Sequence, residues 1–252
     1  MKKNNKINIF KESLPENFIV PTDQVGEKIL KEYGAIFVAG NDLITPNKVV
    51  FKDEKEVSTW QKNVNRSKKN IAGFEIELQA SAMKALKKAI REAEQKDLTI
   101  TPRGADAARR SYAETVGLWA SRVNPALLHW VEKGRLTEQE AEKIHSLSPF
   151  EQVPEIFKLE AEGIFFSKDL SKSIIYSVAP PGTSQHLSML ALDIKEHENR
   201  EVREILAQHA WFQTVISDLP HFTYLGISAN ELANFGLKEI TDGERVFWIP
   251  DL

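Results

Sequence analysis

The sequence contains no cysteine. Disulfides, a thiolate nucleophile and thiolate-bound zinc are therefore excluded, so a metal site here has to be built from histidine and carboxylate. The lack of cysteine does not fix the compartment. A surplus of positive charge is also missing: 33 Lys and Arg stand against 36 Asp and Glu, a net charge of -3. That total implies no basic face for nucleic acid. The nearest basic run, "NRSKKN" (65–70), reads as a solvated linker rather than a phosphate track. No stretch approaches the roughly 20 apolar residues of a membrane span. The basic start "MKKNNKINIFKESLPENF" has no apolar core of signal-peptide length. The expectation is a soluble chain with no visible export signal.

What is present fits a folded protein of one large or two small domains: 252 residues, 42% hydrophobic and 27% charged. "VGEKILKEYG" (25–34) reads as a short helix stopped by glycine, "AIFVAG" (35–40) as a strand and "KVVF" (48–51) as its partner. These give a small N-terminal α/β extension over 1–70. "EIELQASAMKALKKAIREAEQKD" (75–97) places Leu78, Ala82, Leu86, Ala89, Ile90 and Ala93 at helical spacing. A strand is expected at "LTITP" (98–102) and a helix at about 105–119. "LTEQEAEKIHSL" (136–147) opens on a Thr-x-x-Glu capping box.

Strands are expected at "KSIIYSV" (172–178), "LSMLALDI" (187–194) and "RVFWIP" (245–250), and a helix at "NREVREILAQHAWF" (199–212). "QTVIS" and "FTYLG" flank "DLPH" as a hairpin would. Helices come early and antiparallel-compatible strands late, so the expected class is α+β.

Two stretches carry the chemistry. "TSQHLSMLALD" (183–193) puts His186 and Asp193 in an otherwise mostly apolar run. On a straight strand they would stand more than ~20 Å apart, so to act together the chain must bend after the turn-rich "APPGTS". Alone, the pair reads as a surface turn residue and a strand end. "DLPHFTYLG" (218–226) adds a second carboxylate, Asp218, three positions before a second histidine, His221. Two histidines and an aspartate are a usual ligand set for catalytic zinc and leave a position open for water. A further carboxylate near that water can act as general base.

With these residues in view, the sequence resembles the zinc D-alanyl-D-alanine carboxypeptidases and dipeptidases, which include vancomycin-resistance enzymes and some phage endolysins. The resemblance lies in Ser184-x-His186, then Asp193, with Ala191 also matching, followed by "DLPHFTYLG" against the family's acidic-x-Trp-His-aromatic-x-Tyr-x-Gly segment. It covers about 72–252 and implies an α+β fold of the DD-peptidase or hedgehog-like kind, a small antiparallel sheet carrying the zinc site between helices. The domains would be the extension 1–70 and a catalytic domain 71–252, with a helical insertion at about 120–170.

By resemblance, His186, Asp193 and His221 bind Zn2+ and Asp218 is the general base. Arg103 binds substrate or polarises its carbonyl, with Arg110 as the competing assignment, and Ser184 contributes to the substrate site. The implied reaction is hydrolysis of D-Ala-D-Ala or related bonds in a bacterial peptidoglycan stem peptide. The alternative is a weak or inactive zinc-stabilised module that binds cell-wall peptides or a protein. Three departures bear on that choice: Met189 stands where the family has glycine, Pro220 where it has tryptophan, and Asp218 where it has glutamate. Aspartate is one methylene shorter, about 1.5 Å of reach.

The remaining candidates have plainer readings. Trp119, Trp130 and Trp211 are expected to pack from helices. His209 reads as a packed histidine or a support near the metal, and His197 as solvated. Ser184 is a nucleophile by residue type, but no Gly-x-Ser-x-Gly elbow surrounds it, so it reads as a turn residue or a support for the site.

Overall fold

The structure is a computed structural model and describes residues 8–40 and 42–252. The basic start of the chain, on which the reading about export partly rests, lies outside them at 1–7. Among the described residues no helix is long and apolar enough to cross a membrane.

The chain opens with α1 (Ile9–Ser13) and α2 (Gln24–Tyr33). Asp23 caps α2 by accepting from the Gly26 N–H at 2.9 Å. The apolar run after it is a 3-10 turn, Gly34–Val38, and not the expected strand. All five of its residues are buried, so its hydrophobicity reflects enclosure rather than a sheet edge. "KVVF" forms no strand either, contributing only an isolated bridge from Lys48 to Ile19. α3 (Glu54–Lys62) follows.

The basic run expected as a linker is a strand. β1 (Arg66–Ile71) pairs antiparallel with β2 (Phe74–Gln79). Ala72 and Gly73 between them both take positive φ, 50° and 89°, as a two-residue hairpin turn of this hand requires. β2 takes residues 75–79 from the expected helix. Phe74, Ile76 and Leu78 alternate with Glu75 and Glu77, which is period 2 rather than 3.6. The helix proper is α4 (Ala80–Glu94), with Ala82, Met83, Leu86, Ala89 and Ala93 buried. The expected boundary at residue 70 falls inside this hairpin.

Residues 98–102 are extended but join a sheet only through the Pro102–Ile194 bridge. The next helix, α5 (Tyr112–Glu132), starts later than expected, at a capping box made by Ser111 and Glu114. α6 (Glu138–Ser146) has the expected box from Thr137 and Glu140, and α7 (Gln152–Ala161) follows. These three helices bury a cluster of their own around Trp119, Val123, Ile144, Ile156 and Phe166. The expected strand at 172–178 is instead a 3-10 turn, Ile174–Tyr176.

The sheet that carries Asp193 and His221 has three strands. β3 (Ala191–Asp193), β4 (Trp211–Phe212) and β5 (His221–Tyr224) run antiparallel in the order β3-β5-β4. α8 (Arg200–Gln208), capped by Asn199, connects β3 to β4. Trp211, expected on a helix, lies on β4. A last hairpin, β6 (Leu237–Asp242) with β7 (Arg245–Pro250), closes the chain. The fold is α+β, with small antiparallel sheets between helices. Its main core draws on Phe10, Ile29 and Ile36 from the start of the chain and on Leu192, Leu206, Phe222 and Leu237 from its end.

Candidate metal centre

The required bend exists. His186 lies on a buried 3-10 turn, Gln185–Ser188, before β3. The turn ends at Met189 in the left-handed region, φ 56° and ψ 30°, a conformation that costs a non-glycine residue about 1–2 kcal/mol. Met189 is fully buried, and burying a side chain of this size contributes about 1.5–3 kcal/mol. Packing therefore outweighs the backbone cost. β3 then runs straight to Asp193, and β5 places His221 directly opposite Asp193 in register.

Upstream, Gly182 fixes where the turn begins. Its φ is +76°, and a Cβ there would sit 2.0 Å from the Phe51 carbonyl oxygen. The approach is used: the Phe51 N–H donates to the Gly182 carbonyl at 2.9 Å.

His186, Asp193 and His221 converge. His186 Nε2 lies 3.2 Å and His221 Nδ1 lies 3.1 Å from Asp193 Oδ1, and the two ring nitrogens are 3.1 Å apart. Ligands at about 2.0–2.1 Å from a tetrahedral zinc stand roughly 3.3–3.4 Å apart. The spacing thus suits a metal to within a few tenths of an ångström, and the three residues form a group that could hold an ion.

Proton positions sharpen the fit. His186 Nδ1 is 2.7 Å from the Ala108 carbonyl. A carbonyl only accepts, so Nδ1 carries the proton and Nε2 faces the cluster with a lone pair. His221 Nε2 is 2.9 Å from Gln185 Oε1. The Gln185 amide cannot be flipped, because its Nε2 donates to the Tyr33 carbonyl at 2.9 Å. His221 therefore donates from Nε2 and turns the lone pair of Nδ1 inward. Two lone pairs and a carboxylate oxygen then face one another with no proton between them. That arrangement is repulsive unless a cation sits among them. Burial pushes the His186 imidazole below its ordinary pKa, against the pull of Asp193, which favours the neutral form that binds metal.

Asp193 uses its second oxygen elsewhere. Arg110 Nη2 donates to Oδ2 at 2.9 Å, so Arg110 is the arginine that touches the cluster. Arg103 donates its backbone N–H to the Asp193 carbonyl at 3.0 Å, while its side chain is exposed on the rim of the cavity over the cluster. This cavity is about 280 Å³ and is also lined by Ser184 and Asp218. Asp218 is exposed, and the structure does not bring its carboxylate into hydrogen-bond contact with the three clustered residues. His209 belongs elsewhere, paired with Glu92 at 2.9 Å. His197, expected to be solvated, is half-buried behind Arg245 and Glu198, and burial lowers its pKa.

Three buried glutamines were not anticipated from the sequence. Gln61 donates to the carbonyls of Arg110 and Leu187 at 2.8 and 3.0 Å. Gln79 donates to the carbonyl of Ser188 at 2.9 Å. Gln185 accepts from Thr214 and Thr223 as well as from His221. Together they tie the turn carrying His186 to α3, β2 and the sheet. The available signal was weak: Gln185 adjoins His186, and Gln79 ends the alternating run of β2.

Comparison with known proteins gives distant likenesses. No family model matches the chain, and no curated protein matches. Among solved structures it is similar to a vancomycin resistance D,D-pentapeptidase, VanY from a VanB-type resistance cassette in complex with Zn(II). That match has TM-score 0.41 and 16% identity, over 76% of this chain and 92% of that one. VanYB in complex with D-alanine-D-alanine matches at TM-score 0.37 and 17% identity, over 64% and 78%. The LdcB LD-carboxypeptidase matches at 0.37 and 14%, over 68% and 70%. The chemistry of the cluster, rather than these likenesses, carries the functional reading.

Proposed function

We propose that this protein is a zinc-dependent peptidase acting on cell-wall peptides, with D-Ala-D-Ala or a related stem-peptide bond as substrate. The observation that carries the reading is the set of three inward-facing acceptor atoms, His186 Nε2, Asp193 Oδ1 and His221 Nδ1, two of them with tautomers fixed from behind. With no cysteine in the chain, the three donors at this site are nitrogen and oxygen, which suits zinc in a hydrolytic site. Bound there, zinc supplies Lewis acidity and lowers the pKa of a water molecule to about 7.

The protein's own residues do the rest. Asp218, on the cavity rim, is the proposed base. It takes a proton from the attacking water and returns it to the leaving nitrogen as the C–N bond breaks. One water is consumed, and a carboxylate and an amine are released. Arg110 is engaged by Asp193 and so positions that ligand. Arg103, with no such partner among the described residues, is proposed to donate to the carbonyl oxygen as charge develops on it. Ser184 is proposed to contribute to the substrate site.

One observation favours a second reading, a zinc-holding module that binds such peptides without cutting them: the Asp218 carboxylate is exposed and unattached to the cluster. A single experiment separates the two. Protein purified without chelator is assayed for zinc and for D-alanine released from a pentapeptide ending in D-Ala-D-Ala. One zinc per chain with release that is lost in Asp218→Asn supports the peptidase. One zinc with no release, restored in Asp218→Glu, marks a detuned enzyme; one zinc with no release from either marks the binding module. Absence of zinc from wild-type protein and from His186→Ala alike sinks both.

A further inference from the structure

A second cavity lies away from the metal cluster. It is a groove of about 430 Å³ between α8, the edge strand β4 and the closing hairpin β6–β7. Phe222 is in its wall, whereas His221, one residue earlier on β5, belongs to the cluster. Neighbours on a strand point to opposite faces, so the groove and the cluster lie on opposite sides of β5.

Register explains what the hairpin contributes. Glu239 pairs with Trp248 and Thr241 with Val246, so their side chains share one face, and all of them line the groove. Trp248 is half-buried, and Glu239 and Thr241 are exposed. Buried Trp211 and Phe212 from β4 complete an aromatic wall.

The cations of the groove are already engaged. Arg200 pairs with Glu204 at 2.8 Å, and Arg203 donates to the carbonyls of His197, Glu198 and Glu244 at 3.0, 2.7 and 3.1 Å. Lys238 and Arg245, next in sequence to Glu239 and Glu244, pair instead with Asp251 and Glu198. Among the described residues the Glu239 and Glu244 carboxylates therefore have no cation within ion-pair distance. Donors are left over as well. Trp119 and Trp130 on α5 find acceptors at 3.0 and 2.8 Å. The indole N–H groups of Trp211 and Trp248 have none among the described residues, and that of Trp211 is enclosed. A buried donor without an acceptor is uncommon.

These features select a class of ligand. Carboxylates without counter-ions repel an anion. A lysine or arginine side chain would answer them, but it has no acceptor for the indole N–H groups. A sugar hydroxyl both donates and accepts, and the C–H face of a sugar ring can lie on an indole. An acetamido group adds a carbonyl acceptor and a methyl for the aromatic wall.

We propose that this groove is a saccharide site that takes an uncharged, N-acetylated hexosamine. Its occupation would hold the protein on a glycan while the metal cluster, facing the other way, works on a peptide. Only that last link rests on the peptidase reading; the sugar site stands on the groove itself.

The test titrates tri-N-acetylchitotriose into the full chain and follows the indole N–H signals by NMR. Saturable shifts are expected at Trp211 and Trp248, with and without chelator. Maltotriose, which has no acetamido group, is expected to bind more weakly. Glu239→Gln, at an exposed position, and Trp248→Ala are each expected to weaken binding roughly 10-fold, as loss of a charge-assisted hydrogen bond or of a ring face does. Both variants should keep their zinc and their activity on a soluble pentapeptide. Absence of a saturable shift overturns the proposal. So does binding that both variants retain, or binding of tetralysine at these signals in place of the sugar, which marks an acidic groove for a protein segment. Equal binding of maltotriose overturns the choice of an N-acetylated sugar. If the sugar binds and no peptide is cut, the peptidase reading alone fails; if peptide is cut and the sugar does not bind, the saccharide site alone fails.

Discussion

Asp193 and His221 are register partners across β3 and β5, with His221 Nδ1 3.1 Å from Asp193 Oδ1. Two ligands of the proposed zinc thus come from one rung of a small sheet. His186 reaches them from a turn that the sheet does not contain. The rung gives precision, and the turn has to be held in place by other means.

Zinc should therefore act as a fastener for that turn. At free zinc 100 times its Kd, binding to the folded state contributes about 2.7 kcal/mol, or roughly 5–11 °C in Tm for a chain of this size. A chelator is expected to remove that increment from wild type. His221→Ala should melt at the same temperature with and without chelator, by scanning calorimetry.

Gln185 should act on the metal without touching it. Gln185→Leu leaves the His221 Nε2 proton without its acceptor and frees the ring to turn. Loss of such a supporting hydrogen bond typically costs 10–100-fold in metal affinity. Competition with a chromophoric chelator measures it; an unchanged Kd would mean that the strand alone sets the His221 tautomer.

Arg110 and zinc should share the work of balancing Asp193. The Arg110 and Asp193 side chains are only 16% and 12% exposed, and breaking a buried pair costs about 3–5 kcal/mol. Arg110→Ala is expected to lose that much in chelator. In saturating zinc the loss should be smaller, because the ion supplies the missing positive charge. Urea unfolding under both conditions gives the comparison.

Gly182→Ala should be far more damaging than a methyl group suggests. The added Cβ meets a backbone oxygen at 2.0 Å, and φ is positive. The segment leading to His186 has to move, so stability is expected to fall by at least about 2 kcal/mol, and zinc stoichiometry with it. Gly73→Ala, with nothing within 4 Å of its Cβ, serves as the control for positive φ alone and should retain zinc.

Glu160 gives a pH dependence remote from the metal. Burial raises its carboxyl pKa, against hydrogen bonds from Ser173 and the Ile174 N–H. The folded state therefore holds this proton to higher pH than the unfolded state. Its contribution is full below the unfolded pKa of about 4.3 and is lost as pH rises through the folded value. Glu160→Gln should flatten that part of the stability curve. A wild-type-minus-variant difference that does not change between pH 4 and 7 would count against it.

The sequence by itself was enough to single out His186, Asp193, Asp218 and His221 by type and spacing, to require a bend before β3, and to expect an α+β class. It also carried the α6 capping box, α8 and the last strand, because caps and one-sided periodicity are local signals. Period 2 in β2 was equally legible, yet it ran straight into a helical repeat and was absorbed by it. Enclosure misled at Gly34–Val38, where an apolar run means a buried 3-10 turn and not a strand.

Only the tertiary structure decided which arginine touches Asp193 and which nitrogen of each histidine faces inward. The acceptors that fix the two tautomers, Ala108 and Gln185, lie 78 and 36 residues from the histidines they orient. Tyr33, which fixes the Gln185 amide, is 152 residues from it. Hydrogen bonds across such separations leave no periodicity or cap in the chain. They exist because packing brings α2, the 101–110 segment and the sheet together around buried polar atoms that must each find a partner.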